Sequence, residues 1–419
     1  ILESAFFYLK ILGLHTHEKL KEPMSLWEGA RHKKAEEDHR REKGRITRQG
    51  GQNLSPERIM KEALEKLKSL IKEDEDVQAL ILSAVYNKMK NQYQYRYESI
   101  PFELFQNADD AVVELRNNLN EDMKTFVVSC TEKELTFAHR GRLINQFWIG
   151  SFDGRTLGYD RDLEKMLVLS SSDKPLENTS HNNTVTGKFG LGFKSVFLVT
   201  SIPKILSGQL GFKVLGGIFP EKIVGDEFIK LKNNLQTFFG SEKSGTIFEI
   251  PLNNGIDPNN IISEFLQFSS ICLIFSKGIK SCEFHSHIEN RIEHIAWEEK
   301  PLLNSNKIFV GIIPKLSENE LRGSTALVIK CEHGSVLMAF DARSLKPLPK
   351  TIPTIWVTAP TRHILGLGFA VNAAFDLDIG RAQLARDSKR NQDIVIEMGQ
   401  HIGQALCELA DISEHKWIE

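Results

Sequence analysis

Glu103-Leu-Phe-Gln-Asn107-Ala-Asp109-Asp110-Ala111 decides how this chain is read. On a helix, at about 100° per residue, Glu103, Asn107, Asp110 and Glu114 fall within roughly 60° of one another. Leu104, Ala108, Val112 and Leu115 fall on the opposite side. The spacing therefore predicts an amphipathic helix, running from about Ser99 to Asn118 with Pro101 tolerated in its first turn. Its polar face mixes acids with one carboxamide. An amide offers a neutral hard oxygen, suited to a metal that already bridges phosphates. A carboxylate one turn earlier suits orienting or deprotonating a water. Ala111 is small enough to let a flat ring approach the backbone. An acidic stripe alone equally describes a solvated face, so the reading depends on what lies downstream.

Downstream lies Gly187-Lys-Phe-Gly190-Leu-Gly192-Phe-Lys194-Ser195. Glycines let backbone amides approach a ligand closely. Successive N–H groups leading into a helix attract phosphate oxygens, and Lys188 and Lys194 add charge. The spacing is not that of a P-loop, and no strand leads directly into it as a dinucleotide fingerprint requires. Paired with the first stretch, it reads as half of an ATP site. One side holds Mg²⁺ and water, and the other wraps phosphates.

The rest of the chain sets bounds. A length of 419 residues predicts two to three domains. Ordinary proportions of apolar (41%) and charged (26%) residues predict a soluble globular protein. A net charge of -2 carries no nucleic-acid footprint. Cys130, Cys272, Cys282, Cys331 and Cys407 are scattered without a CxxC pair. A reduced, cytoplasmic protein is therefore expected rather than a disulfide scaffold or zinc ribbon. No apolar run approaches the roughly 18 residues of a membrane span. The chain begins without Met, and a piece of a longer polypeptide is expected.

Three regions are expected: a charged helical extension over 1–54, an ATP-binding domain over 55–254, and a second α/β domain over 255–419. Glu28 to Arg48 is crowded with mixed charge and predicts a solvated helix or linker. Ser55-Pro56-Glu57 opens a helix with an N-cap, a proline at the first position and an acid in the first turn. Lys124 to Cys130 and Glu134 to Ala138 predict a hairpin. Residues 141–186 show little periodicity and are expected to form a lid. Phe193 to Thr200 predicts a helix. Gly211 to Leu215, Thr246 to Leu252, Lys307 to Ile313, Ala326 to Lys330 and Ser335 to Phe340 predict strands.

These motifs resemble the GHKL superfamily of ATPases, which includes Hsp90, the ATPase component of DNA gyrase, MutL and histidine kinases. Glu103-x-x-x-Asn107-x-x-Asp110-Ala111 is similar to the first motif of that family. Lys188 to Val199 resembles the Hsp90 glycine loop and the helix after it. Gly245-Thr246 is similar to the late Gly-Thr element, whose threonine approaches the adenine. The phrasing of Gln106 to Ala111, Phe189 to Phe197, Ile202 to Gly208 and Gly245 to Pro251 is most similar to the sacsin-like branch.

The resemblance implies an α/β, two-layer Bergerat fold followed by a transducer-like second domain. It implies MgATP as cofactor, Glu103 as catalytic base and Asn107 as the Mg²⁺ ligand. Asp110, Ala111, His139, Gly141 and Thr246 would line the nucleotide site, together with Gly187, Lys188, Phe189, Gly190, Leu191, Gly192, Phe193, Lys194 and Ser195. Phe375 to Arg386 resembles the Hsp90 middle-domain segment, which would make Arg381 an arginine finger. One departure stands out. The family's Asp-x-Gly-x-Gly is here His139-Arg140-Gly141-Arg142-Leu143. A neutral imidazole nitrogen can accept the bond that the aspartate takes from the adenine amino group, and a protonated one cannot.

The leading expectation is thus a slowly hydrolysing ATPase module that uses ATP-driven lid closure within a larger protein and dimerises on ATP. The alternatives are a non-hydrolysing ATP sensor, or the ATPase of a nucleic-acid-handling or bacterial anti-phage system. In the last case DNA contacts would lie outside this chain. Neither client nor partner subunit is named by the residues, and no membrane partner is expected.

Overall fold

The computed structural model describes residues 2–42, 55–115, 123–167, 192–240, 244–302, 305–314, 324–340, 345–378 and 383–412. Five helices come first: α1 (Leu2–Ile11), α2 (Glu18–Glu42), α3 (Pro56–Glu73), α4 (Glu75–Asn87) and α5 (Ser99–Glu114). α3 begins where its residues require, with Ser55 Oγ accepting from the Arg58 N–H at 3.4 Å and Pro56 in the first turn. Asp74 ends α3 and caps α4 by accepting from the Val77 N–H at 3.1 Å.

The first part of the extension packs into the core. Leu20, Met24 and Trp27 recur at helical spacing in α2 and are buried, in the same core cluster as Ala63, Leu67 and Ile71 of α3. Phe6 of α1 stacks on Trp27 with ring centroids 5.0 Å apart. The mixed-charge run follows this stripe, and over Arg31 to His39 its residues are exposed or half-buried, as a solvated helix requires.

The first sheet starts with β1 (Thr125–Cys130) and β2 (Glu134–His139), the expected hairpin. A ribbon, β3 (Trp148–Ile149) with β4 (Phe152–Asp153), and a short α6 (Asp162–Leu167) follow. Next come β5 (Lys204–Ser207), β6 (Leu210–Leu215), β7 (Phe219–Lys222), α7 (Gly225–Phe239), β8 (Thr246–Pro251), α8 (Pro258–Phe275), β9 (Ser281–Ser286) and β10 (Arg291–Ala296). The strand order is β10-β9-β1-β2-β8-β5-β6-β7. All neighbours are antiparallel except β1 and β9. A parallel pair needs a long crossover, and α8 lies in the connection between β8 and β9.

The fold is α/β, with helices layered on mixed sheets. Strand alternation sends Leu135 and Phe137 toward α5 and α8, where Phe105, Phe126 and Phe265 pack ring against ring. Ala138 and Ile247 point the other way, onto Leu231 and Leu235 of α7. A domain boundary at 254/255 would cut this sheet, because β9 and β10 belong to it.

The second sheet contains β11 (Lys300–Pro301), β12 (Ile308–Ile312), β13 (Thr325–Cys331), β14 (Gly334–Phe340), β15 (Leu345–Lys346), β16 (Ile355–Val357), β17 (Ala359–Pro360) and β18 (Ala370–Ala373). α9 (Lys389–Ile412) lies across it, with Ala405 and Leu409 on Ile308, Leu327 and Ile329. Gln106 of α5 reaches this second unit, donating from Nε2 to the Val357 carbonyl at 3.1 Å. The next residue, Thr358, has φ +60, and its N–H donates to Asn372 Oδ1 at 2.7 Å. Among the described residues no helix is long and apolar enough to cross a membrane.

Candidate functional site

α5 is buried on nearly every side. Between Ile100 and Leu115, Asn107 is the one exposed residue, and Asp110 and Ala111 are half-buried beside it. The sequence placed Glu103, Asn107, Asp110 and Glu114 on one polar face about 60° wide. The structure leaves a narrow open stripe, because α8, the first sheet and the second sheet cover the rest. Glu103 is buried, and Gly192 lies against it: a Cβ on Gly192 would overlap Glu103 Oε2. The two halves expected from sequence therefore meet at Glu103 and Gly192. Gly187, Lys188, Phe189, Gly190 and Leu191 lie outside the described residues, as do Arg381 and the 168–186 part of the expected lid.

The helix expected after Gly192 is a short 3-10 helix over Phe193–Leu198, with every side chain buried. Lys194 was expected at phosphates, but its Nζ donates to the Gly217 carbonyl at 2.7 Å and lies over the Phe197 ring. Burial drives its ammonium down to about 7. Ser195 Oγ donates to the Gly192 carbonyl at 2.6 Å. Phe193 packs edge-on against Phe197 and tilted against Phe248. Phe193, Val196, Phe197 and Leu198 fold inward, and the polar tips of Lys194 and Ser195 are carried with them.

The other end of the stripe is built by the segment after β2. Gly141 packs on α5 so closely that a Cβ would stand 2.7 Å from the Ala111 carbonyl carbon and from the Val112 nitrogen. The Arg142 N–H donates to the Ala111 carbonyl at 2.8 Å. The Arg142 side chain then ties three elements together. It donates to Glu114 of α5 at 2.6 Å and to both oxygens of Asp162 at 2.7 and 3.0 Å, and it lies 3.9 Å over the Tyr159 ring. Burial alone would lower the Arg142 pKa, but the two carboxylates outweigh it and hold the pKa above the ordinary value. Burial pushes Glu114 up, opposed by the Arg142 guanidinium. A forked, planar donor is what such a two-carboxylate clamp requires.

His139 ends β2 and lies opposite Thr246 of β8. Its ring is stacked near Phe248. Its Nδ1 accepts a hydrogen bond from the Gly141 N–H at 3.1 Å. The nitrogen expected to serve a ligand's amino group is therefore occupied within the chain, and the neutral ring carries its proton on Nε2. Burial depresses the imidazole to about 4. Thr246 Oγ1 and Ser207 Oγ lie 2.7 Å apart, and Ser207 Oγ also accepts from the Ile144 N–H at 2.9 Å. Ser207 lies in the Ile202 to Gly208 stretch that carries part of the resemblance, but the sequence assigns its side chain no role. Only the β5–β8 register, which pairs it with Thr246, brings it to the site.

A pH dependence follows from His139. Above about pH 6.5 the ring is neutral in folded and unfolded chains and the contribution is fully present. As pH falls toward 4 the unfolded chain binds a proton that the folded chain refuses, so stability is lost, by about 3 kcal/mol in all. Urea denaturation at pH 7 and pH 4.5 should show this loss, and His139→Asn should reduce it. An unchanged pH slope in His139→Asn would reject the assignment.

Among the described residues no group of three His, Cys, Asp or Glu side chains is placed to hold a metal ion. Asn107, exposed one turn after Glu103, presents a single amide oxygen. That donor set fits Mg²⁺, which keeps its waters and takes few protein ligands when it bridges phosphates.

Residues 82–216 match the family model of the Sacsin domain. The match begins in α4 and ends after β6, so it spans α5, the His139 segment and the Gly192 turn. It supports a sacsin-like relationship for that stretch of the chain. No curated protein matches the chain.

Proposed function

We propose that this chain is a MgATP-binding ATPase module of the GHKL type, akin to Hsp90 and sacsin, that hydrolyses ATP slowly. One observation carries the reading: the buried Glu103 carboxylate lies against Gly192, with the exposed Asn107 amide one helical turn further on. The nucleotide would lie along α5, its phosphates toward Gly192 and its base toward Gly141 and His139. Asn107 would hold the Mg²⁺, which neutralises charge on the phosphate oxygens. Glu103 would orient the attacking water. The nucleotide unit that follows the 1–54 extension would extend past 254 to Ala296, where the first sheet ends, with the second α/β unit after it.

The experiment is steady-state phosphate release with MgATP by the parent chain and by Glu103→Gln, with ATP binding followed in parallel. Loss of a positioned general base costs about 10²-fold or more. Release is expected to fall by at least that factor, with ATP affinity within about threefold of the parent. Equal release by the two proteins would sink the base assignment. A second reading, a non-hydrolysing nucleotide sensor, draws support from Lys194 and Ser195, whose polar tips are taken up inside the protein. Tight ATP binding with no phosphate release by the parent would select it.

A further inference from the structure

We infer that His139 reads the base of the bound nucleotide by donating a hydrogen bond from Nε2. The ligand is thus recognised at an acceptor, a ring nitrogen or a 6-oxo group of a purine, and not at an exocyclic amino group. The inference rests on the nucleotide reading above and names the chemistry of its base.

Distance along α5 sets the scale. Glu103, against Gly192, and Ala111, against Gly141, are eight residues apart, which is about 12 Å at the helical rise. That span is comparable with the separation of terminal phosphates from base in a nucleoside triphosphate. If phosphates lie at the Gly192 end, the base lies beside the segment that follows β2. The ring available there is His139. It stands on the α5 face of the sheet, because Leu135 and Phe137 of the same strand pack on that face and side chains two apart share a side. Thr246, its register partner, and Ser207 lie beside it.

Hydrogen-bond polarity then fixes what this ring offers. A neutral imidazole has one donor nitrogen and one acceptor nitrogen. The acceptor, Nδ1, is engaged by the backbone N–H of Gly141 at 3.1 Å. Turning the ring over would bring Nδ1 off that N–H and leave a buried donor unmet, which is costly. Nε2 therefore carries hydrogen. Burial suppresses the second protonation until about pH 4, so the ring keeps this polarity across the neutral range. An amino group placed against Nε2–H would set hydrogen against hydrogen. A carbonyl oxygen or bare ring nitrogen there would complete the bond.

The test compares binding of ATP, inosine triphosphate and the triphosphate of unsubstituted purine riboside, each with Mg²⁺, to three proteins: the parent, His139→Gln and His139→Asp. The parent should bind inosine triphosphate at least as tightly as ATP, and the unsubstituted purine within about threefold. His139→Gln keeps an N–H donor and should keep that order. His139→Asp presents an acceptor and should shift preference toward ATP by about tenfold, the scale of one unmet buried partner. ¹⁵N spectra of the parent's ring nitrogens, which need no ligand, should place the proton on Nε2 and an accepting nitrogen at Nδ1.

ATP binding with inosine triphosphate weaker by tenfold or more would overturn the inference and leave the ATPase reading standing. So would a ring proton found on Nδ1, or three proteins with one common preference. If none of the triphosphates bound the parent, the nucleotide reading itself would fail, and this inference with it.

Discussion

Asp109→Ala is expected to cost about 3–5 kcal/mol of stability, a large part of the 5–15 kcal/mol that holds a typical domain folded. Asp109 lies inside α5 and is buried. Its Oδ1 accepts from the backbone N–H groups of Gly278 and Ile279 at 2.7 and 2.8 Å, and its Oδ2 accepts from that of Lys277 at 3.1 Å. Three backbone donors, two of them deeply buried, would lose their acceptor together, and each unmet buried group costs about 1–3 kcal/mol. The loop they belong to carries the chain from α8 into β9, so its loss reaches the first sheet. Asp109→Asn keeps one acceptor oxygen and should cost roughly half as much. Urea denaturation midpoints at neutral pH measure both, and an Asp109→Ala midpoint within about 1 kcal/mol of the parent's would refute the account.

Gly141→Ala should be the most damaging single-methyl change at the candidate site. Its new Cβ would stand 2.7 Å from backbone atoms of Ala111 and Val112, and backbone cannot swing aside as a side chain can. The segment would have to lift from α5. That motion breaks the Arg142 N–H bond to the Ala111 carbonyl and pulls Arg142 off Glu114 and Asp162. Overpacking of this kind costs about 1–3 kcal/mol. MgATP affinity should fall at least tenfold, because Ala111 and His139 are displaced together. Thermal melting and nucleotide titration of Gly141→Ala give both numbers. Binding equal to the parent's would show that this contact does not shape the site.

Much of the architecture was legible because it is local. α5 and the β1–β2 hairpin lie where their spacing placed them, and β6, β8, β12, β13 and β14 lie within a residue or two of the predicted strands. What was not legible depends on partners distant in sequence. The insertion of β9 beside β1 joins residues more than 150 positions apart, and no periodicity encodes that. Arg142 stood in the sequence only as one position of the altered Asp-x-Gly-x-Gly motif, and its role depends on Glu114 and Asp162, which the fold brings to it. Asp109 and Asp110 are adjacent acids, and only the approach of residues 277–279 separates a structural carboxylate from one beside the open stripe. Lys194 was misplaced for a related reason. Charge pointed to phosphate, but the burial of Phe193, Val196 and Phe197 carries the whole turn inward.

The β1–β9 pairing has a practical consequence for anyone isolating the nucleotide unit. A fragment ending near residue 254 keeps β1, Thr-Phe-Val-Val-Ser-Cys, but removes the strand that covers its outer side. That would leave a bare edge of apolar, β-branched residues with unpaired amides and carbonyls, the kind of surface that recruits strands from neighbouring molecules. Such a fragment should template its own aggregation. One ending after Ala296 keeps β9 and β10 over that edge and should remain dispersed.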